Sequence, residues 1–203
     1  MENLKENVQI SFASKTINLT NLPTQKWQNL NIVMFNKKNG RMITDNDLEN
    51  EGISKEELFE IAKENSRQEW VLISLMQMMK NTFLKLKDED MCCCPLDDLS
   101  NIDKTEDMFA LTNRENSMGA IAILYEDNLR KIAEELNSNL IIFPSSIHEV
   151  MIHPVGDNTD INFISDMNNI VKEANNNDVK PSIQMADNCY LYDRKNNKII
   201  YVA

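Results

Sequence analysis

The residues of this chain whose types could support chemistry gather in one stretch. Phe143-Pro144-Ser145-Ser146-Ile147-His148-Glu149-Val150-Met151-Ile152-His153-Pro154 contains both histidines of the sequence, two adjacent serines and a glutamate. Zinc hydrolysis asks for two histidines four residues apart on a helix, so that both rings reach one ion. Here His148 and His153 are separated by one residue too many. On a helix that step turns the rings about 140° apart, and on a strand an odd step sends them to opposite faces. Serine hydrolysis asks for Ser145 or Ser146 to be activated by His148, with an acid orienting the ring. The glycines that permit a strained nucleophile elbow are absent around Ser145. The reading that accounts for most residues is a turn between two strands, in which Pro144 ends one strand and the serines cap backbone groups. Within it Ser145, Ser146, His148 and Glu149 offer donors and acceptors and form the candidate ligand or partner site.

The rest of the chain adds little catalytic inventory. Cys92, Cys93 and Cys94 are consecutive and Cys189 is distant, a spacing that suits neither a disulfide framework nor paired zinc ligands. Glycine-rich phosphate loops, calcium loops and deaminase patterns are missing. Asp157-Asn158-Thr159-Asp160 lacks the later ligands of a calcium loop, and Asp160 reads as a helix cap. No catalytic residue, metal ligand or cofactor is assigned. A net charge of −11 works against direct nucleic-acid binding, which needs cations to displace counterions from phosphates. The N-terminal residues have no basic and apolar signal pattern, and the longest apolar window runs from Trp70 to Met79, too short for a membrane span. The expectation is a cytoplasmic protein in a reducing environment.

These residues must be positioned by an α+β scaffold. Val8–Phe12 alternates as a strand, and Asn31–Phe35 with Arg41–Thr44 reads as a hairpin around Asn39-Gly40. Ser54 and Glu57 form a capping box ahead of a helix with Leu58, Ile61 and Ala62 inward. Trp70–Leu86 carries Leu72, Leu75, Met76, Met79 and Phe83 at helical spacing, so it reads as a second helix. Its methionines suit either a core or an adaptable binding surface. Residues 87–107 are acidic and turn-rich, which suggests a linker between a 1–86 unit and a 108–203 α+β domain. In that domain the expected order is β-β-α-β-β-α-β-β, with helices on one face of a mainly antiparallel sheet. Met108–Asn113, Gly119–Tyr125, Asn139–Phe143, Glu149–Pro154 and a C-terminal hairpin supply the strands. Helices at Glu126–Asn137 and Asn162–Asn176 complete it, the latter with Phe163, Ile164, Met167, Ile170 and Val171 inward.

"MFALTNRENSMGAIAILYEDNLRKIAEELNSNLIIFPSSIHEVMIHP" followed by "CYLYDRKNNKII" resembles the bacterial DUF5688 family of unknown function, as do "LNIVMF" and "MITDNDLENEGISKEELFEIAKENS" upstream. The resemblance covers roughly residues 20–203 and implies an α+β fold and a bacterial or mobile-element, cytosolic origin. It also implies that most of the family's N-terminal region is lacking, and the cysteine run has no counterpart in it. It implies no activity. The functional expectation is therefore a non-enzymatic interaction module that binds a protein partner through its acidic surface or its methionine-bearing helix. An acidic inhibitor or regulator is one form of it. The competing expectation is a hydrolase or small-ligand-binding domain centred on Ser145–Glu149. Neither expectation names a partner or an oligomeric state.

Overall fold

The computed structural model describes residues 4–84, 93–144 and 146–202. Ser145 and Cys92 of the sequence expectations lie outside the described residues. In chain order the elements are α1 (Leu4–Asn7), β1 (Val8–Phe12), β2 (Gln25–Trp27), β3 (Leu30–Asn36), α2 (Asp45–Glu51) and α3 (Lys55–Asn65). Then come β4 (Trp70–Ser74), α4 (Leu75–Leu84), β5 (Cys94–Pro95), β6 (Phe109–Asn113), a 3-10 helix (Gly119–Leu124) and α5 (Glu126–Glu135). The chain ends with β7 (Asn139–Phe143), β8 (Val150–Val155), α6 (Ile161–Asn177), β9 (Cys189–Asp193) and β10 (Lys198–Val202). The fold is α+β, built on two antiparallel sheets. The small sheet has the order β1-β3-β2, and the large one runs β10-β9-β7-β8-β6-β4-β5. β4, before residues 87–107, pairs with β6, after them, from Trp70↔Asn113 to Ser74↔Phe109.

The centre of the large sheet is covered on both faces. Along β7, Leu140 and Ile142 join one core cluster while Ile141 and Phe143 join another, as the two-residue alternation of a strand requires. The first cluster fills the space between the large sheet and a layer made of the small sheet, α3, the 3-10 helix and α5. The second lies under α6, which contributes Ile164 and Val171. The expectation of helices on one face is therefore corrected, because α6 covers the opposite face. A strand such as Asn-Leu-Ile-Ile-Phe, apolar on both faces from Leu140 onward, needs cover on both sides.

Two local expectations are also corrected. Trp70–Ser74 is a strand, not the first turns of a helix. Its Trp-Val-Leu-Ile run is rich in β-branched and aromatic residues and buried on both sides, the signature of a central strand. The helix begins only at Leu75. Gly119–Leu124, read as a strand, is a 3-10 helix whose residues from Gly119 to Ile123 are all buried. A short, fully apolar run carries no periodicity by which to choose between the two. The capping of α3 is half of the expected box, with the Ser54 hydroxyl accepting from Glu57 N. The hairpin after β3 turns through Gly40 at φ 70°, and its return is a single bridge, Phe35↔Met42. β8 continues one residue past Pro154; pairing with β6 has ended at Ile152, so the missing N–H costs that ladder nothing.

Burial separates residues that look alike in the sequence. Ile142 is fully buried in the centre of the large sheet, whereas Ile170 on α6 is 53% exposed. Ile142→Ala should cost roughly 2–5 kcal/mol through lost contacts and a cavity. Ile170→Ala should stay within about 0.5 kcal/mol of the parent. Urea unfolding followed by circular dichroism measures both, and comparable losses at the two positions would contradict this layering.

Candidate functional site

The Ser146–Glu149 turn is built into the fold by backbone bonds to three neighbours. Ile147 N donates to Ile183 O at 2.9 Å, Gly119 N donates to His148 O at 2.8 Å, and Ala120 N donates to Ile147 O at 3.3 Å. Thr112 Oγ1 donates to the same His148 carbonyl at 2.8 Å. Ser146 is buried, bridges to Gln184, and its Oγ accepts from His148 N at 3.0 Å, while its hydroxyl also serves the Glu149 carboxylate. The His148 ring points elsewhere, with Nδ1 accepting from Met118 N at 3.2 Å. Burial pushes the Glu149 carboxyl up from its ordinary range, opposed by the Ser146 hydroxyl and the His148 ring.

Chemically, Ser146 is engaged as a turn cap and His148 as an acceptor for a backbone amide. The general-base lone pair that a nucleophilic serine needs is given to Met118 N–H. His153 belongs to the other layer, its Nδ1 against Asp107 O, so the two histidines do face apart. Among the described residues no group of three or more His, Cys, Asp and Glu converges to hold a metal ion.

The sequence reading missed a second feature, an apolar groove of about 310 Å³ on the α6 side of the large sheet. Met108 and Met151 form its floor, Met167 and Ile170 of α6 one wall, and Leu75 at the start of α4 the other. Two buried asparagines explain why it stays open. Asn168 accepts from Cys189 N at 2.7 Å and donates to Val202 O at 3.3 Å. Asn175 donates to Ala186 O at 2.8 Å. These bonds draw α6 towards β9 and β10, burying Ile164 and Val171 and leaving Phe163 44% exposed beside Ile170. The apolar stripe of α6 is thus wider than the contact it makes. Its breadth was the available signal in the sequence.

On α4 the methionine stripe is open, which corrects its reading as a core face. Met76, Met79, Phe83 and Leu84 are all exposed, Phe83 at 81%. Met79 and Phe83 follow Leu75 by four and eight residues, so they extend the groove wall along one side of α4. Apolar side chains gathered in this way form a patch, unlike the singly scattered ones of an ordinary surface.

Two substitutions test the turn. A Cβ on Gly119 would collide with Thr112 Oγ1 and lie 2.7 Å from His148 O and 2.8 Å from Asn113 N. Gly119→Ala should therefore destabilise by about 1–3 kcal/mol, and adding Thr112→Ala should not restore stability, because two of the three clashing atoms are backbone. Differential scanning calorimetry of the single and double variants measures this. For Glu149, a folded-state pKa raised above the unfolded value means the native protein holds the extra proton, so stability falls as pH rises through that window. Glu149→Gln should gain on the parent as pH is raised through and above the ordinary glutamate range; a difference in urea midpoints that does not change with pH would show that the carboxyl is not desolvated.

No helix among the described residues is long and apolar enough to cross a membrane. No curated protein and no solved structure matches the chain. A family described as "Family of unknown function (DUF5688)" matches residues 1–194. That match begins at residue 1, which corrects the expectation that most of the family's N-terminal region is lacking. With the match spanning nearly all of its length, the chain belongs to the DUF5688 family.

Proposed function

We propose that this protein is a non-enzymatic interaction module. It seats one amphipathic helix of a partner protein, apolar side down, in the groove between α6 and the start of α4. The observation that carries this reading is the continuity of the groove with the exposed α4 stripe of Met76, Met79, Phe83 and Leu84. Methionine is flexible and polarisable, so a lining that includes Met108, Met151 and Met167 adapts to the side chains of an incoming helix. Helix-in-groove recognition requires that combination of a long apolar trough and anchors spaced by helical turns. The groove itself is lined by apolar side chains apart from the His153 ring, so specificity falls to the surround. A net charge of −11 favours a helix whose flanks carry Lys and Arg, through steering and complementary contacts at the rim. A regulator or inhibitor of another protein would work in this way, through occupancy of a surface without chemistry on it.

The experiment uses a labelled peptide of about 18 residues, long enough for five helical turns, made of leucine and lysine in an amphipathic order. A scrambled peptide of the same composition is the control. The amphipathic peptide should bind more tightly than the scrambled one, and Ile170→Asp or Met167→Asp should weaken it about tenfold or more, on the order of 1.4 kcal/mol. Equal binding of the two peptides, or full binding by Ile170→Asp, would refute the reading. A dimer that dissociates on Ile170→Asp would refute the partner helix in favour of a second copy of the chain.

A further inference from the structure

On the other side of the large sheet, a cleft of about 560 Å³ opens between the end of α3, the start of β4 and the first turns of α5. Its rim carries three cations, Lys63, Arg67 and Lys131, against the acids Asp97 and Asp127. The acids are already engaged. Asp97 accepts from Lys131 at 2.6 Å and Asp127 from Arg130 at 2.7 Å. Arg67 spends only Nε on a neighbour, Glu64 at 2.7 Å, and lies with its guanidinium carbon 5.0 Å above the Tyr125 ring. Among the described residues neither of its terminal nitrogens has a hydrogen-bond or ion-pair partner. Among the described residues neither the Lys63 ammonium nor the Gln68 amide has a hydrogen-bond or ion-pair partner.

The back wall is rigid. Trp70 and Tyr125 pack at 5.2 Å, both are buried, and the Tyr125 hydroxyl donates to Lys63 O at 2.8 Å. The ring that fixes the Lys63 backbone also stacks under Arg67, so the two free cationic groups are held on one preformed frame. A chain with 32 acids and 21 cations does not gather uncommitted donors in a concave site by composition alone. An oxyanion is the ligand chemistry that takes lysine, arginine and amide donors together, with arginine offering a forked pair of N–H groups. The cleft volume lies within the range of small-molecule sites and far exceeds a single phosphate.

We infer that this cleft binds a small phosphate-bearing ligand, with Lys63, Arg67 and Gln68 as the anion-holding groups. The site stands apart from the partner groove and does not depend on it. Trp70 in the wall is a built-in reporter, and Trp27→Phe removes the other tryptophan of the chain. Full-length Trp27→Phe protein is titrated with inorganic pyrophosphate and, separately, with adenosine 5′-monophosphate at constant ionic strength, following Trp70 emission. A saturable change is expected. Arg67→Ala and Lys63→Ala should each weaken it at least about tenfold, the scale of losing one charge-assisted contact. Lys37→Ala, at a different cavity, should leave it unchanged. Tighter binding of the nucleotide supports a phosphorylated organic ligand, and tighter binding of pyrophosphate supports a free oxyanion. No saturable change with either probe, or an unaltered response in both Arg67→Ala and Lys63→Ala, overturns the inference. Arg67 and Lys63 side chains carry no core packing, and circular dichroism confirms that the variants remain folded.

Discussion

Everything in this fold follows from the double-sided burial of β7. Every residue from Asn139 to Phe143 is withdrawn from water, and successive side chains enter different core clusters. Such a strand is stable only if each face has its own cover. The first face receives a deep layer of sheet and helix. The second receives α6, tied to β9 and the end of β10 by Asn168 and Asn175. Because those bonds fix α6 over one half of the second face, the other half, around Met108 and Met151, is left under partial cover. The groove is the remainder of an incomplete layer.

The same layering explains why the stretch richest in chemical groups is not an assembled catalytic site among the described residues. The Ser146–Glu149 turn sits where the 3-10 helix closes over the first face, and its donors and acceptors are consumed in that closure. His148 illustrates the point with three functions at once: its carbonyl receives Gly119 N and Thr112 Oγ1, its amide meets Ser146 Oγ, and its ring accepts Met118 N. A buried polar group left unpaired costs more than a formed bond returns, so a turn this deep uses its side chains structurally. Glycine at 119 is the geometric condition for the contact, since any side chain there would meet the His148 carbonyl.

The proposed groove and cleft sites lie instead where cover is incomplete or charge is uncommitted. The two differ in kind. The groove is apolar and continues onto an exposed helix, which suits a macromolecular segment, whereas the cleft beside Trp70 and Tyr125 is concave and polar at its rim, which suits a small ligand. They lie on opposite sides of the same sheet, so one rigid element carries both, and occupancy of one leaves the other sterically free.

How much of this was legible in the sequence depends on whether a signal was local. The strands Val8–Phe12, Phe109–Asn113 and Asn139–Phe143, the caps at Ser54 and Asp160, and the C-terminal hairpin were readable, because alternation, capping side chains and turn residues act over a few neighbouring positions. The odd step between His148 and His153 pointed to rings that face apart, but His148 lies in the turn before β8, and its ring is directed by Met118 N rather than by strand alternation. The runs Trp70–Ser74 and Gly119–Leu124 were not readable, since a fully apolar segment reports burial without reporting its period. The partners of the Ser146 turn, the orientation of α6 and the cations meeting at the cleft come from positions tens of residues apart. Asn168 and Asn175 look like surface residues until β9 and the residues leading into it supply the groups they bind. Sequence alone determined the α+β class and the local elements; only the tertiary structure decided which side chains are spent holding the layers together and which are left to meet another molecule, because that choice depends on what each one packs against.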